Sequence, residues 1–176
     1  MATTNLNPSS TVANDFSMLF GASTAHGALS DTSTTAIGTQ DQNDECIVEL
    51  DDWAVSGATI SSIRHYISGY KYLTRGGDVD IQVKLENSSG TDLYSENHTL
   101  LFNSYIAQDF YGTSRTTSDG STAWAASSLN GLRLSINTTP ENPDGISYAT
   151  IVKAYVEVTY TTATVTNDAT FFGANF

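Results

Sequence analysis

Between residues 78 and 86 the chain alternates with a period of two. Val79, Ile81, Val83 and Leu85 share one face; Asp78, Asp80, Gln82, Lys84 and Glu86 share the other. Successive side chains of a strand point to opposite faces, so this run reads as a half-buried antiparallel strand with one wet side. The rhythm recurs at 132–137, where Leu132, Leu134 and Ile136 alternate with Arg133, Ser135 and Asn137. It recurs at 148–160, with Val152, Ala154, Val156, Val158 and Tyr160 against Lys153, Tyr155, Glu157 and Thr159. Over 60–72, Ile63, His65 and Ile67 oppose Arg64, Tyr66, Ser68, Tyr70 and Tyr72. Large side chains on both sides predict that this strand is covered twice over part of its length, by a neighbouring sheet or subunit. Shorter strand candidates are 46–50, 99–103 and 105–110.

Turn chemistry punctuates these runs. Arg75-Gly76-Gly77-Asp78, Asn87 to Asp92, Ser118-Asp119-Gly120-Ser121 and Pro140 to Gly145 all supply residues suited to tight turns. Strands separated by turn signals every 10–15 residues or so predict an all-β protein, an antiparallel β-sandwich of jelly-roll-like type. No strand alternates with a helical period, so a parallel α/β sheet is excluded. Short helical turns are expected at most within 14–19 or 122–129. Three segments follow: an extended N-terminal segment 1–45, a sandwich domain 46–161 and a C-terminal tail 162–176. In the first, Phe16, Met18, Leu19 and Phe20 form a hydrophobic knot. In the last, Phe171, Phe172 and Phe176 are expected either to fold back on the sandwich or to dock into a neighbouring subunit. These seven residues are the expected interface.

Composition limits the partners. Seven Lys and Arg stand against 19 Asp and Glu, a formal charge of −12. That field repels nucleic acid and anionic membranes alike. Only 15% of residues are charged, and Ser and Thr make up roughly a quarter of the chain, giving a neutral, hydroxyl-rich surface. The N-terminus shows no signal-peptide pattern, so synthesis in a cytoplasm is expected. The single cysteine, Cys46, reads as a small buried hydrophobe.

No catalytic constellation emerges. There is no Gly-x-Ser-x-Gly and no phosphate loop, and no nucleophile lies beside a base. His26, His65 and His98 are far apart and, read for ligand companions at i+2 or i+4, yield no metal motif; His65 is expected to be a core or interface residue. Asp51-Asp52 and the Asp78/Asp80 pair read as hydrated carboxylates rather than a glycosidase pair. The 41–45 run, Asp-Gln-Asn-Asp-Glu, reads as a surface loop; it opens like a Ca²⁺ loop but lacks that loop's glycine and final glutamate. Trp53, Trp124 and the nine tyrosines are first of all packing residues, with a sugar-stacking platform as the second reading. The sequence thus predicts no enzyme, no cofactor and no metal.

Ile60-Ser61-Ser62-Ile63, Val79 to Leu85 and Gly90-Thr91-Asp92-Leu93-Tyr94-Ser95 form a pattern that continues through Phe110-Tyr111-Gly112, Trp124 and Leu129 to Ile136. It closes on Val156-Glu157-Val158-Thr159-Tyr160. Over about residues 45–161 this resembles a β-sandwich domain of tailed-bacteriophage structural proteins. The resemblance implies a virion component, above all a capsid decoration or cement protein. Such a protein would form a trimer or another symmetric homo-oligomer and bind the major capsid protein. The alternative it implies is a tail-fibre, adaptor or receptor-binding module that recognises a host glycan. It carries over no catalytic residue.

Overall fold

The structure is a computed structural model that describes residues 1–30, 35–39, 41, 43–72, 78–101, 106–138 and 148–163. Two antiparallel sheets face one another. The first runs in the order β3 (Met18–Phe20), β4 (Ala36–Thr39), β11 (Tyr148–Thr162), β6 (Ala58–Tyr72) and β9 (Gln108–Tyr111), with β1 (Ala2–Leu6) also pairing β11. The second runs β2 (Pro8–Asn14), β5 (Glu45–Leu50), β10 (Arg133–Thr138), β7 (Val79–Glu86) and β8 (Asp92–Leu100). One short helix, α1 (Ala25–Ser30), and one 3₁₀ turn (Ala126–Leu129) complete the described elements. The fold is the expected all-β antiparallel sandwich, with the extended N-terminal strands lying on the core sheets.

Period-two alternation places the core. Val79, Ile81, Val83 and Leu85 of β7, Leu134 and Ile136 of β10, and Cys46, Val48 and Leu50 of β5 are buried. They share one cluster with Ile63 and Ile67 of β6 and Ala154, Val156 and Val158 of β11. Each fully buried Val, Leu or Ile contributes about 1.5–3 kcal/mol relative to exposure, so these facing rows hold the sheets together. The double coverage predicted for β6 comes from within the chain: its inner face packs on the second sheet, and its outer Tyr66 is covered by the rings of Tyr155 and Tyr111 on the neighbouring β11 and β9.

The ends join this core. β1 pairs with β11 and β2 with β5, so the chain passes from one sheet to the other at Asn7, whose carbonyl accepts the backbone N–H of Asp51. Among the described residues of 1–45, β1 to β4 are therefore laid along both sheets as strands, with α1, whose Ala25, Ala28 and Leu29 are buried, between β3 and β4. That helix was not foreseen, and 14–19 is not helical; 126–129 supplies the second short turn.

One register detail departs from strict alternation. A bulge between Ile151 and Lys153 makes Val152 the extra residue, so the buried side chains there are Ile151 and Ala154 rather than Val152. Beyond it, Lys153, Tyr155 and Glu157 face outward in step with Ser68, Tyr66 and Arg64.

Candidate functional site

Three strands bring three tyrosines into one row. Tyr155 of β11 stands opposite Tyr66 of β6, which stands opposite Tyr111 of β9. All three are on the outer face of the first sheet, since their neighbours Val156, His65 and Ile67 point inward. The rings of Tyr66 and Tyr155 stack at 4.4 Å between centroids and 20° between planes, while Tyr66 and Tyr111 meet at 5.0 Å and 58°. Directly paired aromatics are a normal means of sheet stabilisation, which accounts for the stacked pair. Tyr66 and Tyr155 are each 8% exposed, whereas Tyr111, on the edge strand, is 50% exposed.

Polar groups frame the row. The Tyr66 hydroxyl donates to Asp109 Oδ1 at 2.7 Å. Arg64 lies with its guanidinium carbon 4.5 Å from the Tyr111 ring centre, and its Nε donates to Glu157 Oε1 at 2.8 Å. Lys153 places its ammonium 5.5 Å from the Tyr155 ring centre. Burial pushes the Tyr155 phenol up to about 12, with the adjacent Tyr111 adding to the shift. Tyr66 is raised by burial and then by its bond to Asp109, and the hydroxyls of Tyr66 and Ser68 hold Asp109 below the usual carboxylate range. Tyr66 and Tyr155 are thus neutral donors and acceptors at physiological pH. One half-open ring is surrounded by hydroxyls, two carboxylates and two cations whose charges cancel. Such a face offers an apolar surface for C–H groups and convergent hydrogen-bonding groups for hydroxyls.

A hollow of about 360 Å³ lies beside β1, lined by Thr4, Asn5, Leu6, Asp51, Asp52, Trp53, Ala54 and Val55. Asn5 is the register partner of Glu157, so the hollow borders the row. Its carboxylates serve the loops: Asp52 Oδ1 accepts from Gly131 N, and Asp51 Oδ2 accepts from Asn7 N. Trp53 is half-buried, donates to Val55 O and meets Tyr160 edge-on at 5.1 Å.

A second constellation lies between the sheets. His65, on the inner face of β6, is 0% exposed, and its Nε2 is 2.7 Å from Nε2 of His98 on β8. Glu96, two residues before His98 and so on the same face of β8, completes a group whose ligating atoms all lie within 4.8 Å of one another. Both Glu96 oxygens accept from Thr113 N, and Oε1 also accepts from Arg115 at 3.0 Å. Desolvation lowers His65 to about 4, helped by His98, and lowers His98 as well. His65 is a core residue as expected. The companion that a search at i+2 and i+4 did not find is Glu96, at i−2 of His98; alternation along 92–100 places it beside His98, but only the pairing of sheets brings both to His65.

The structure scatters the residues expected to form an interface. Phe16 is 3% exposed and belongs to the core, so it is not available to a partner. Met18, Leu19 and Phe20 form the edge strand β3, with Leu19 and Phe20 exposed. Phe171, Phe172 and Phe176 lie outside the described residues. Of the two tryptophans considered for sugar stacking, Trp124 is buried and donates to Arg115 O. An open aromatic on the outer sheet face is instead Tyr111. Of the 41–45 run, the described Asp41, Asn43 and Asp44 lie between β4 and β5, with Asn43 in the left-handed region, and Glu45 opens β5.

No family model matches the chain, and no curated protein matches it. Among solved structures, it is similar to the CBM32 of AlyQ in complex with 4,5-unsaturated mannuronic acid, at 12% identity and a TM-score of 0.44, over 87% of this chain and 97% of that one. It is similar to the C-terminal family 22 carbohydrate-binding module of Clostridium thermocellum Xyn10B, at 10% identity and a TM-score of 0.43, over 92% and 88%. It is also similar to 32% of the MgGH51 α-L-arabinofuranosidase, at 10% identity and a TM-score of 0.43, over 90% of this chain. These are likenesses of layout and assign no ligand here. None of these solved structures is a tailed-phage structural protein, and the resemblance to that family is not borne out. The capsid decoration or cement role is withdrawn, and with it the major capsid protein as partner and the trimer that the resemblance implied. The physical reason for the error is that alternation and turn spacing specify a two-sheet sandwich, a layout that unrelated functions share.

Proposed function

We propose that the protein is a non-catalytic glycan-recognition module, and that the outer face of its first sheet, around Tyr111, Tyr66 and Tyr155, takes the sugar. The observation that carries the reading is the row itself: three phenols aligned across three strands, one of them half open, with polar groups on either side. Tyr111 supplies the ring for sugar C–H contact, and Arg64, Lys153, Asp109 and Glu157 supply hydrogen bonds to hydroxyls. No group on this face needs to act as acid, base or nucleophile.

The charge balance selects the class of sugar. Arg64 and Lys153 offset Asp109 and Glu157 locally, while the whole chain carries −12. A polyanionic polysaccharide is repelled at long range and meets no net positive surface on arrival. Neutral glycans are therefore the expected ligands, bound with little dependence on salt.

The test is a glycan array followed by calorimetry on any hit, with Tyr111→Ala as the variant. Since the Tyr111 ring is half exposed at an edge, its loss leaves the fold intact, as circular dichroism will show. Binding weakened at least tenfold supports the reading. Binding unchanged in both Tyr111→Ala and Lys153→Ala, or no neutral glycan bound by the native protein, overturns it.

A further inference from the structure

His65 and His98 meet nose to nose across the gap between the sheets, with Nε2 facing Nε2 at 2.7 Å. Two imidazoles can approach this way only if one proton lies between them, because two bare lone pairs repel. A divalent cation can take the place of that proton and accept both lone pairs. Glu96 provides a third ligand from the same side of β8 as His98. Its two oxygens differ in their partners: Oε1 accepts from Arg115 at 3.0 Å, while Oε2 accepts from the Thr113 amide at 2.9 Å. Oε2 is the oxygen that does not hold the Arg115 guanidinium, and Thr113 and Arg115 fix the carboxylate in the way that outer partners orient metal ligands.

We propose that His65 Nε2, His98 Nε2 and Glu96 Oε2 form a site for a divalent transition-metal ion of the zinc class, joining β6 of one sheet to β8 of the other. Two imidazoles and one carboxylate suit zinc, and tetrahedral zinc with three protein ligands keeps a fourth position for water. Ligands about 2.0–2.1 Å from such an ion are separated by roughly 3.3 Å, so the two rings need to part by only about half an ångström. His65 is fully buried while His98 and Glu96 are half-buried, which leaves a route for the ion from the β8 side. β8 is the edge strand of its sheet, and β9, beside β6, is the edge of the other. The ion therefore clasps the sandwich at its open seam, and its role is to stabilise. This inference stands apart from the sugar site, which lies on the outer face of the first sheet.

The experiment uses the full, untagged chain stripped with a chelator. Zn²⁺ titrated by calorimetry is expected to bind once per chain and to raise the melting temperature in step with its concentration. Co²⁺ is expected to give the visible absorption of a tetrahedral nitrogen–oxygen site. His98→Gln and Glu96→Gln are each expected to weaken Zn²⁺ binding at least tenfold, and His26→Gln to leave it unchanged. Should a variant fail to fold, Zn²⁺-induced shifts of the His65 and His98 ring nitrogens by NMR report on the native protein directly. The proposal is overturned by the absence of saturable one-to-one binding, by binding that survives His98→Gln, or by ring-nitrogen shifts confined to His26.

Discussion

Gly112 leaves the space that the His65 ring fills. A Cβ built on Gly112 would lie 2.3 Å from His65 Cε1 and 2.4 Å from Nδ1, while the Gly112 amide donates to the His65 carbonyl at 2.9 Å. The close approach is backbone to ring, and the ring is held on its other sides by Tyr94, stacked at 5.9 Å, and by His98. Gly112→Ala is therefore expected to force the imidazole out of place, at a cost of about 1–3 kcal/mol for overpacking a filled core. Urea unfolding of the two proteins measures it. An unchanged midpoint would show that the ring has somewhere else to go.

Much of the fold was legible because burial on one face leaves a period-two record. β7 alternates from Val79 to Leu85 and β10 buries Leu134 and Ile136 as its pattern requires, though Ser135, bonded to Glu45, is buried too, and β6 shows its inner Ile63, His65 and Ile67 against outer Arg64, Tyr66 and Ser68. What the sequence hid was long-range. Tyr66, Tyr111 and Tyr155 are separated by dozens of residues, and only the order β11, β6, β9 puts them in one row. The group of His65, Glu96 and His98 is likewise created by two sheets meeting. The bulge at Val152 escaped because it preserves apolar composition while shifting the phase. α1 escaped because six residues of Ala, His, Gly, Leu and Ser carry no helical period long enough to read.

Cys46 is fully buried in β5, where desolvation, with Glu45 and Asp15 adding to it, pushes the thiol up to about 12. The thiolate is the reactive form, so the native protein is expected to ignore a disulfide reagent near neutral pH and to react once per chain in denaturant. Rapid native labelling would mean that β5 opens on the timescale of the assay.

Tyr66→Phe deletes the hydroxyl that donates to Asp109 while keeping the stack on Tyr155. Hydrogen bonds to a charged acceptor contribute about 1.5–3 kcal/mol when buried, and the exposed side of Asp109 places this one at the lower end. The variant is expected to lose about 1 kcal/mol of stability in chemical denaturation, and its Asp109 to titrate higher in NMR. A silent substitution would mean that water takes over the hydroxyl's place at no cost.

Alkali should ionise the buried tyrosines later than ordinary surface phenols and destabilise the fold as it does so. Tyr155 is raised from 10 to about 12, and Tyr66 and Tyr94 are raised too, each mainly by burial. A phenol whose folded value exceeds its unfolded value keeps its proton in the native state after the unfolded chain would have released it. Its contribution is complete below about pH 10 and is lost as pH climbs towards the folded value, so stability falls across that window. For Tyr155 alone the shift corresponds to about 2–3 kcal/mol by pH 12. Phenolate absorbance followed during a pH titration should show a late group of tyrosines that ionise together with unfolding, and Tyr155→Phe should remove part of that late step. If all nine tyrosines of the chain titrate near 10 while the fold persists, the row is open to water and its rings are not packed as described.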